Sequence, residues 1–318
     1  MEPSGRKAFV VGYLPSWKSG FTPQWDKITH LNLAFGTITQ EGTLNASILD
    51  GFRNTIGQAH GHGVKVLLSV GGGGEAKYFT TALLDPDLRK KLRDDLQKCV
   101  SDYDLDGIDL DYEEWTGGQG GIGAEDIPKR AALEELYKDL RTALGADKLI
   151  TAAVSGSYDD GGWGFYNCYT NSMHQYLDFI SIMIYDETGP WSGNTTGAHS
   201  SWSFFEKAID HWLNNRKLPL EKLVAGVPFY GYTFLKEGDA TGATSIAFKD
   251  IIVLSSDLEA YKKDQVGLTY YDGTVTMARK ATYIREHGLG GIMIWELTQD
   301  TDDQEKSLLN VIHSELWR

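Results

Sequence analysis

The sequence predicts an α/β fold, a (β/α)₈ TIM barrel in a single domain, and three observations predict it. Apolar, strand-like segments alternate with helical ones almost to the end of the chain, the pattern of a parallel sheet with helical crossovers. Eight such strand segments can be counted, which suggests closure into a ring. The length agrees, because 318 residues is a barrel's roughly 250 plus a few long connections. An open doubly wound sheet is the structural alternative.

The strand segments are short runs rich in β-branched and aromatic residues. In order they are Phe9–Leu14, Ile28–Phe35, Lys65–Val70, Gly107–Tyr112, Leu149–Ser155, Phe179–Tyr185, Leu223–Val227 and Gly291–Trp295. Between them the clearest helical patterns run over Pro86–Ser101, Ile127–Leu144, Ser203–Asn214, Val275–His287 and Ser307–Trp317. The surplus length sits in glycine-rich connections. The largest is Thr233–Gly273, a small excursion before the last crossover helix. The chain shows no linker, low-complexity tract or internal repeat, so residues 1–318 are read as one barrel.

Composition narrows the classes. Lys and Arg number 30 against 44 Asp and Glu, a formal charge of −14. A field of that sign disfavours nucleic acid and anionic membrane surfaces. No apolar run reaches the length that crosses a bilayer. Met1-Glu-Pro-Ser-Gly-Arg-Lys7 precedes a strand-like Ala8–Leu14, too short for a signal peptide. The expectation is a secreted, periplasmic or cell-surface protein whose leader has been removed, with a cytoplasmic one as the alternative. Cys99 and Cys168 imply no disulfide framework. A monomer without cofactor or metal is expected.

The most informative stretch is Asp106-Gly-Ile-Asp-Leu-Asp-Tyr-Glu113. A strand sends alternate side chains to one face, so Asp109, Asp111 and Glu113 point one way and Ile108, Leu110 and Tyr112 the other. Three stacked carboxyls repel one another and resist desolvation, which raises their pKa values and forces protons to be shared. That is a way to hold a protonated Glu near neutral pH. A solvent-facing acidic edge is the bland alternative, and the apolar interleaving argues against it. Asp102, Asp104, Asp106, Gly107 and Glu113 also fit a calcium-loop pattern. The glycine-rich sequence after Trp115 cannot supply the helix that such a loop requires.

Other distinctive residues fall at strand ends, where a barrel carries its chemistry. Tyr13 ends the first strand, Ser69 the third, Tyr185-Asp186 the sixth and Trp295-Glu296 the eighth. A carboxyl pair suggests glycoside hydrolysis, but Asp111 and Glu113 lie about 6.7 Å apart in rise on one strand and cannot flank a sugar. The nucleophile must come from elsewhere, and a substrate with a 2-acetamido group can supply its own carbonyl oxygen.

Residues 106–113 resemble the D-G-x-D-x-D-x-E signature of glycoside hydrolase family 18, the chitinases and related endo-β-N-acetylglucosaminidases, a family that uses substrate assistance. Ser69-Val-Gly-Gly72 is similar to its third-strand motif, Met183-Ile-Tyr-Asp186 to its sixth, Gly226-Val-Pro-Phe-Tyr-Gly231 to its seventh and Gly290–Trp295 to its eighth. The resemblance implies retaining hydrolysis of β-1,4 bonds next to N-acetylglucosamine in chitin or another glycan. It implies Glu113 as acid and then base, and Asp111 orienting the acetamido group while exchanging a hydrogen bond between Asp109 and Glu113. Tyr185 would donate to the acetamido carbonyl. Asp186, Trp295, Tyr230, Met183, Tyr13 and Ser69 fall on the substrate-binding side, with Ser69 and Tyr13 also supporting the buried Asp109. The alternatives are action on N-glycan cores or peptidoglycan, or a non-catalytic sugar-binding lectin on the same barrel.

The chain departs from the pattern in two places. It reads Tyr112-Glu113-Glu114-Trp115 where many chitinases have Trp-Glu-Tyr-Pro, and Tyr232 where they often have Arg. The reduced excursion implies a shallow cleft, suited to endo cutting or a bulky substrate. Gly71–Ala76 loosely fits a nucleotide fingerprint, but no second strand follows to complete it. His30 reads as structural. Trp17, Trp163 and Trp191 fit sugar subsites or core equally, whereas Trp25, Trp202, Trp212 and Trp317 read as core.

Overall fold

The computed structural model describes residues 7–73, 76–113, 124, 126–158 and 169–318. Eight parallel strands form its centre: β1 (Phe9–Pro15), β2 (His30–Ile38), β3 (Lys65–Gly71), β4 (Gly107–Asp111), β5 (Leu149–Ser155), β6 (Phe179–Met183), β7 (Leu223–Pro228) and β8 (Gly291–Trp295). Each pairs with the next, and β1 pairs with both β2 and β8, so the ring closes. An open sheet is excluded by that last pairing. Outside the ring lie α1 (Arg53–Gly61), α2 (Ala76–Leu84), α3 (Pro86–Asp102), α4 (Asp126–Leu144), α5 (Trp202–Asp210), α6 (Phe248–Leu254), α7 (Thr274–His287) and α8 (Leu308–Leu316).

The alternation in the sequence becomes two separate cores. Outward side chains such as Val10, Leu31, Leu68, Ile108, Leu110, Ile182 and Ile294 pack against the helices. Inward ones such as Val11, Tyr13, Phe179, Val224 and Met293 fill the lumen. A barrel needs both, because its wall is apolar on each face except where it carries chemistry.

Most predicted segments differ from the observed ones by two residues or fewer at their N-termini. β6 stops at Met183 rather than Tyr185, because the chain turns there and Asp186 adopts a left-handed φ of 67°. The helix expected to run to Asn214 ends at Asp210 and continues as a π turn, His211–Asn215. The excursion begins three residues early. Tyr230–Thr233, Thr244–Ala247, Gln265–Val266 and Thr269–Tyr270 form a second, antiparallel sheet of four short strands. Among the described residues no helix is long and apolar enough to cross a membrane.

The opening Asp of the signature works at the foot of the barrel. Asp106 accepts from Val66 N at 2.8 Å, from Lys65 Nζ at 2.7 Å and lies 2.9 Å from His60 Nε2, locking the entry of β4 to β3. Glu113 stands beyond the opposite end of β4, whose five residues span roughly 17 Å. The calcium-loop grouping therefore has no common centre. Burial pushes the Asp106 carboxyl up, but the Lys65, Val66 and His60 bonds outweigh it and hold its pKa below the ordinary value. Such a group stabilises the fold above the usual carboxylate range and loses that effect as pH falls through its folded pKa. Asp106→Asn is thus expected to cost about 1–2 kcal/mol at neutral pH, the scale of a partly exposed charge-assisted network. Urea unfolding of the two proteins should converge in acid.

Candidate active site

The site is built at the carboxyl ends of the strands, starting from a floor in the lumen. Asp109 is 0% exposed. Its Oδ2 accepts from Tyr13 Oη at 2.6 Å and Ser69 Oγ at 2.8 Å, and its Oδ1 from Thr151 Oγ1 at 2.6 Å. Register explains the grouping, since Ser69, Asp109 and Thr151 are direct partners across β3, β4 and β5. Burial raises the Asp109 pKa, and the three hydroxyls, Thr151 first, work against that rise.

Above it, Asp111 is 3% exposed, and its Oδ1 has no hydrogen-bond partner among the described residues. Burial, then the charges of Glu113 and Asp109, push its carboxyl well above the ordinary range. Glu113 is half-buried at the rim. Its pKa is pushed up to about 7, first by burial and then by the charge of Asp186, while a hydrogen bond shared with Asp111 pulls it down.

The glycines that end β3 make this stacking possible. Gly71 has φ 112°, and a Cβ there would sit 2.1 Å from the Asp111 carbonyl oxygen. Its neighbour Gly72 donates to that same oxygen at 2.8 Å. A Cβ on Gly72 would strike the Phe35 ring at 2.8 Å. That ring stacks on Trp295, centroids 5.6 Å apart and planes at 22°. The Ser-Val-Gly-Gly run thus supplies one hydroxyl to Asp109 and two gaps, one for backbone and one for an aromatic wall.

The opposite wall comes from β6 and the segment after β7. Asp186 Oδ1 accepts from Tyr230 Oη at 2.5 Å and Tyr232 Oη at 3.2 Å and lies 3.3 Å from His199 Nδ1. His199 Nε2 is 3.1 Å from the Tyr230 carbonyl oxygen. A carbonyl only accepts, so Nε2 carries a hydrogen, and Nδ1 lies 3.3 Å from both the Asp186 N and its Oδ1. Tyr185 Oη faces Met293 Sδ at 3.9 Å, a weak acceptor. The tyrosines resist ionisation: burial, then neighbouring carboxylates, raise Tyr13, Tyr185 and Tyr230 well above their usual value.

These walls enclose a cavity of about 230 Å³. Of the residues singled out from sequence, Asp111, Glu113, Tyr185 and Asp186 line it, as do Tyr13, Met183, Tyr230 and Trp295. Asp109 and Ser69 do not. Ser69 is 0% exposed beneath Asp109, so its placement on the substrate-binding side is corrected: it touches Asp109 and not the cavity. Tyr13 does both. Sequence reasoning missed Thr151, His199, Phe35 and Met293, and noted Tyr232 only as a departure. Thr151 faces inward from β5, but only the register between strands brings it to Asp109.

Among the tryptophans, Trp212 is fully buried, and Trp25, Trp202 and Trp317 pack partly buried on the outer core. Trp17 is 65% and Trp191 58% exposed. Trp191 packs edge-on against Tyr232 with centroids 5.7 Å apart. Trp115, Trp163, Glu114 and Cys168 lie outside the described residues. His30 is buried, 2.7 Å from Thr29 Oγ1 through Nδ1 and edge-on to Phe9 and Phe179, a packing role.

Fold and site together define a closed (β/α)₈ barrel with a carboxylate-lined cleft at the carboxyl ends of its strands. The family model for glycosyl hydrolases family 18 matches residues 9–300, and the chain belongs to that family. A solved chitinase from Bacteroides thetaiotaomicron is 30% identical, with a TM-score of 0.83 over 98% of this chain and 97% of that one. A chitinase-like effector of Moniliophthora roreri is 31% identical over 73% of this chain and 61% of its own length. Chitinase C of Streptomyces lividans is 28% identical over 87% of this chain and 53% of its own. The chain therefore spans between half and two thirds of the length of these two curated relatives.

Proposed function

We propose that the chain hydrolyses β-1,4 bonds next to N-acetylglucosamine in chitin, with retention of configuration and with the substrate's 2-acetamido oxygen as nucleophile. One observation carries the reading. Glu113, with a pKa of about 7, and Asp111, with an unpartnered buried oxygen, stand on one strand against one cavity. A protonated carboxyl can serve a leaving oxygen, and the free Asp111 oxygen suits an amide N–H. Asp186 is a poor candidate for a covalent nucleophile, because Tyr230 and Tyr232 already donate to its Oδ1.

The steps follow from that arrangement. Glu113 gives its proton to the glycosidic oxygen while the acetamido carbonyl oxygen attacks C1, and the C1–O bond breaks. Asp111 accepts the acetamido N–H and balances the charge of the oxazolinium ion. Tyr185 steadies the attacking carbonyl oxygen, and Trp295 offers a flat apolar face to the sugar. Glu113, now a carboxylate, takes a proton from water, whose oxygen attacks C1 and opens the ring. Two displacements at C1 retain the β configuration.

Chitin is favoured over charged glycans by electrostatics and by similarity. The described cavity lining carries Asp111, Glu113 and Asp186 and neither Lys nor Arg, so an anionic wall polymer meets a field of its own sign. The similar proteins named above include two chitinases. The test is product analysis on chitin oligomers, a high-mannose glycopeptide and peptidoglycan side by side, with the first-formed anomer read by NMR. Chitin oligomers should be cut to β-anomers, and the equivalent glucose oligomers left intact. First-formed α-anomers, or efficient cleavage of plain glucosides, would sink the mechanism. Tight binding without any cleavage would favour the lectin.

A further inference from the structure

Behind the Tyr185–Asp186 turn, away from the cavity lining, lies a buried charge that the mechanism does not use. Lys280 on α7 is 0% exposed and Asp272, just before α7, 4%. The ammonium donates to Asp272 Oδ2 at 2.7 Å, to the Ser200 carbonyl at 2.6 Å and to Ser200 Oγ at 2.8 Å. Its three hydrogens are thereby all used. Ser200 Oγ in turn donates to the Ile184 carbonyl at 2.6 Å. That carbonyl belongs to the peptide leading into Tyr185. The residue before Ser200 is His199, whose ring meets Asp186 N and Oδ1 and whose own carbonyl accepts from Glu187 N at 3.0 Å.

We propose that Lys280 is a positioning residue for the reaction, its buried ammonium fixing Ser200 and His199 so that they clamp the turn presenting Tyr185 and Asp186 to the cavity. Asp186 needs such a clamp. Its φ of 67° is one that non-glycine residues hold only when the surroundings over-determine it. A salt bridge buried this completely is a poor device for stability alone, since apolar packing would serve as well. Directed bonds to one backbone carbonyl and one hydroxyl are what an apolar side chain could not supply.

A displaced Asp186 has a specific signature. The titratable groups facing Glu113 across the cavity are Asp111 from β4, Tyr13 from β1, Tyr185 and Asp186 from the end of β6, and Tyr230 from beyond β7. The charge of Asp186 raises the Glu113 pKa. Moving it away lowers that pKa, so the alkaline limb of kcat/KM shifts toward acid. Loss of stability remote from the cavity, which leaves the burial of Glu113 intact, does not shift the limb.

The experiment compares Ser200→Ala, the double variant Lys280→Met with Asp272→Asn, Asp186→Asn, and Leu316→Ala in the α8 core as a destabilised control. Each is assayed across pH on a chitin oligomer. The Ser200 and Lys280 variants should lose roughly 10- to 100-fold in kcat, the scale on which an ångström of misplacement acts, with a smaller change in KM. Their alkaline limbs should move in the same direction as that of Asp186→Asn, while the limb of Leu316→Ala stays in place. If the double variant fails to fold, Ser200→Ala decides, because it keeps the ion pair. Wild-type kcat together with an unmoved limb in the folded variants would overturn the positioning role. The inference rests on Glu113 as the acid: wild-type protein without turnover refutes that reading, whereas an active wild type with unaltered variants refutes only this one.

Discussion

Glu113→Gln is expected to lower kcat by roughly 10²–10⁴-fold, the contribution of a positioned general acid, while oligosaccharide binding persists. The amide keeps the shape of the carboxyl and a donor toward the leaving oxygen, but has no proton to give. Calorimetric titration with a chitin oligomer should therefore return a Kd close to that of the wild type. The pH profile supplies a second check. On the proposed mechanism Glu113 acts in its protonated form, and its pKa is pushed up to about 7, so wild-type kcat/KM should fall as pH rises past neutrality. The residual rate of the variant should lack that limb. Unchanged turnover in Glu113→Gln would falsify the assignment.

What the sequence made legible was periodicity, and what it hid was register. The period of two along residues 106–113 placed Asp109, Asp111 and Glu113 on one face, and the structure has Ile108, Leu110 and Tyr112 facing the helices. Strand stagger is not written in any one strand. Thr151 reaches Asp109 only because β5 pairs with β4 in that register, and of the two places expected for Ser69, beneath Asp109 and on the cavity, it takes only the first. The short helices α1, α2 and α6, of nine, nine and seven residues, were not singled out. Length alone is not the reason, since α5 and α8 are also nine residues long; those two carry buried apolar residues at helical spacing, Phe204 with Ala208 and Leu308 with Ile312 and Leu316. His199 illustrates the long-range case. Thirteen residues separate it from Asp186, and only the fold of that connection turns its ring back onto the carboxylate.

Asp111→Ala is expected to cost about 10²–10³-fold in kcat, the range for removing one preorganised electrostatic contact to a developing charge. The loss has two parts. On the proposed mechanism the acetamido N–H of the substrate loses its acceptor, so the carbonyl oxygen is no longer held on line with C1. The oxazolinium of that mechanism also loses the acidic side chain that steadies it. The accompanying shift in pH dependence has a definite sign. The hydrogen bond from Asp111 lowers the Glu113 pKa, whereas the Asp186 charge raises it. Deleting Asp111 should therefore move the alkaline limb of kcat/KM upward, opposite to the movement expected for Asp186→Asn. Burial penalises the charged form of Glu113 in both variants, so a general loosening of the site would move both limbs toward acid together. Opposite displacements of the two limbs are what distinguish a hydrogen-bonded carboxyl pair on one strand from three carboxylates that merely share a cavity.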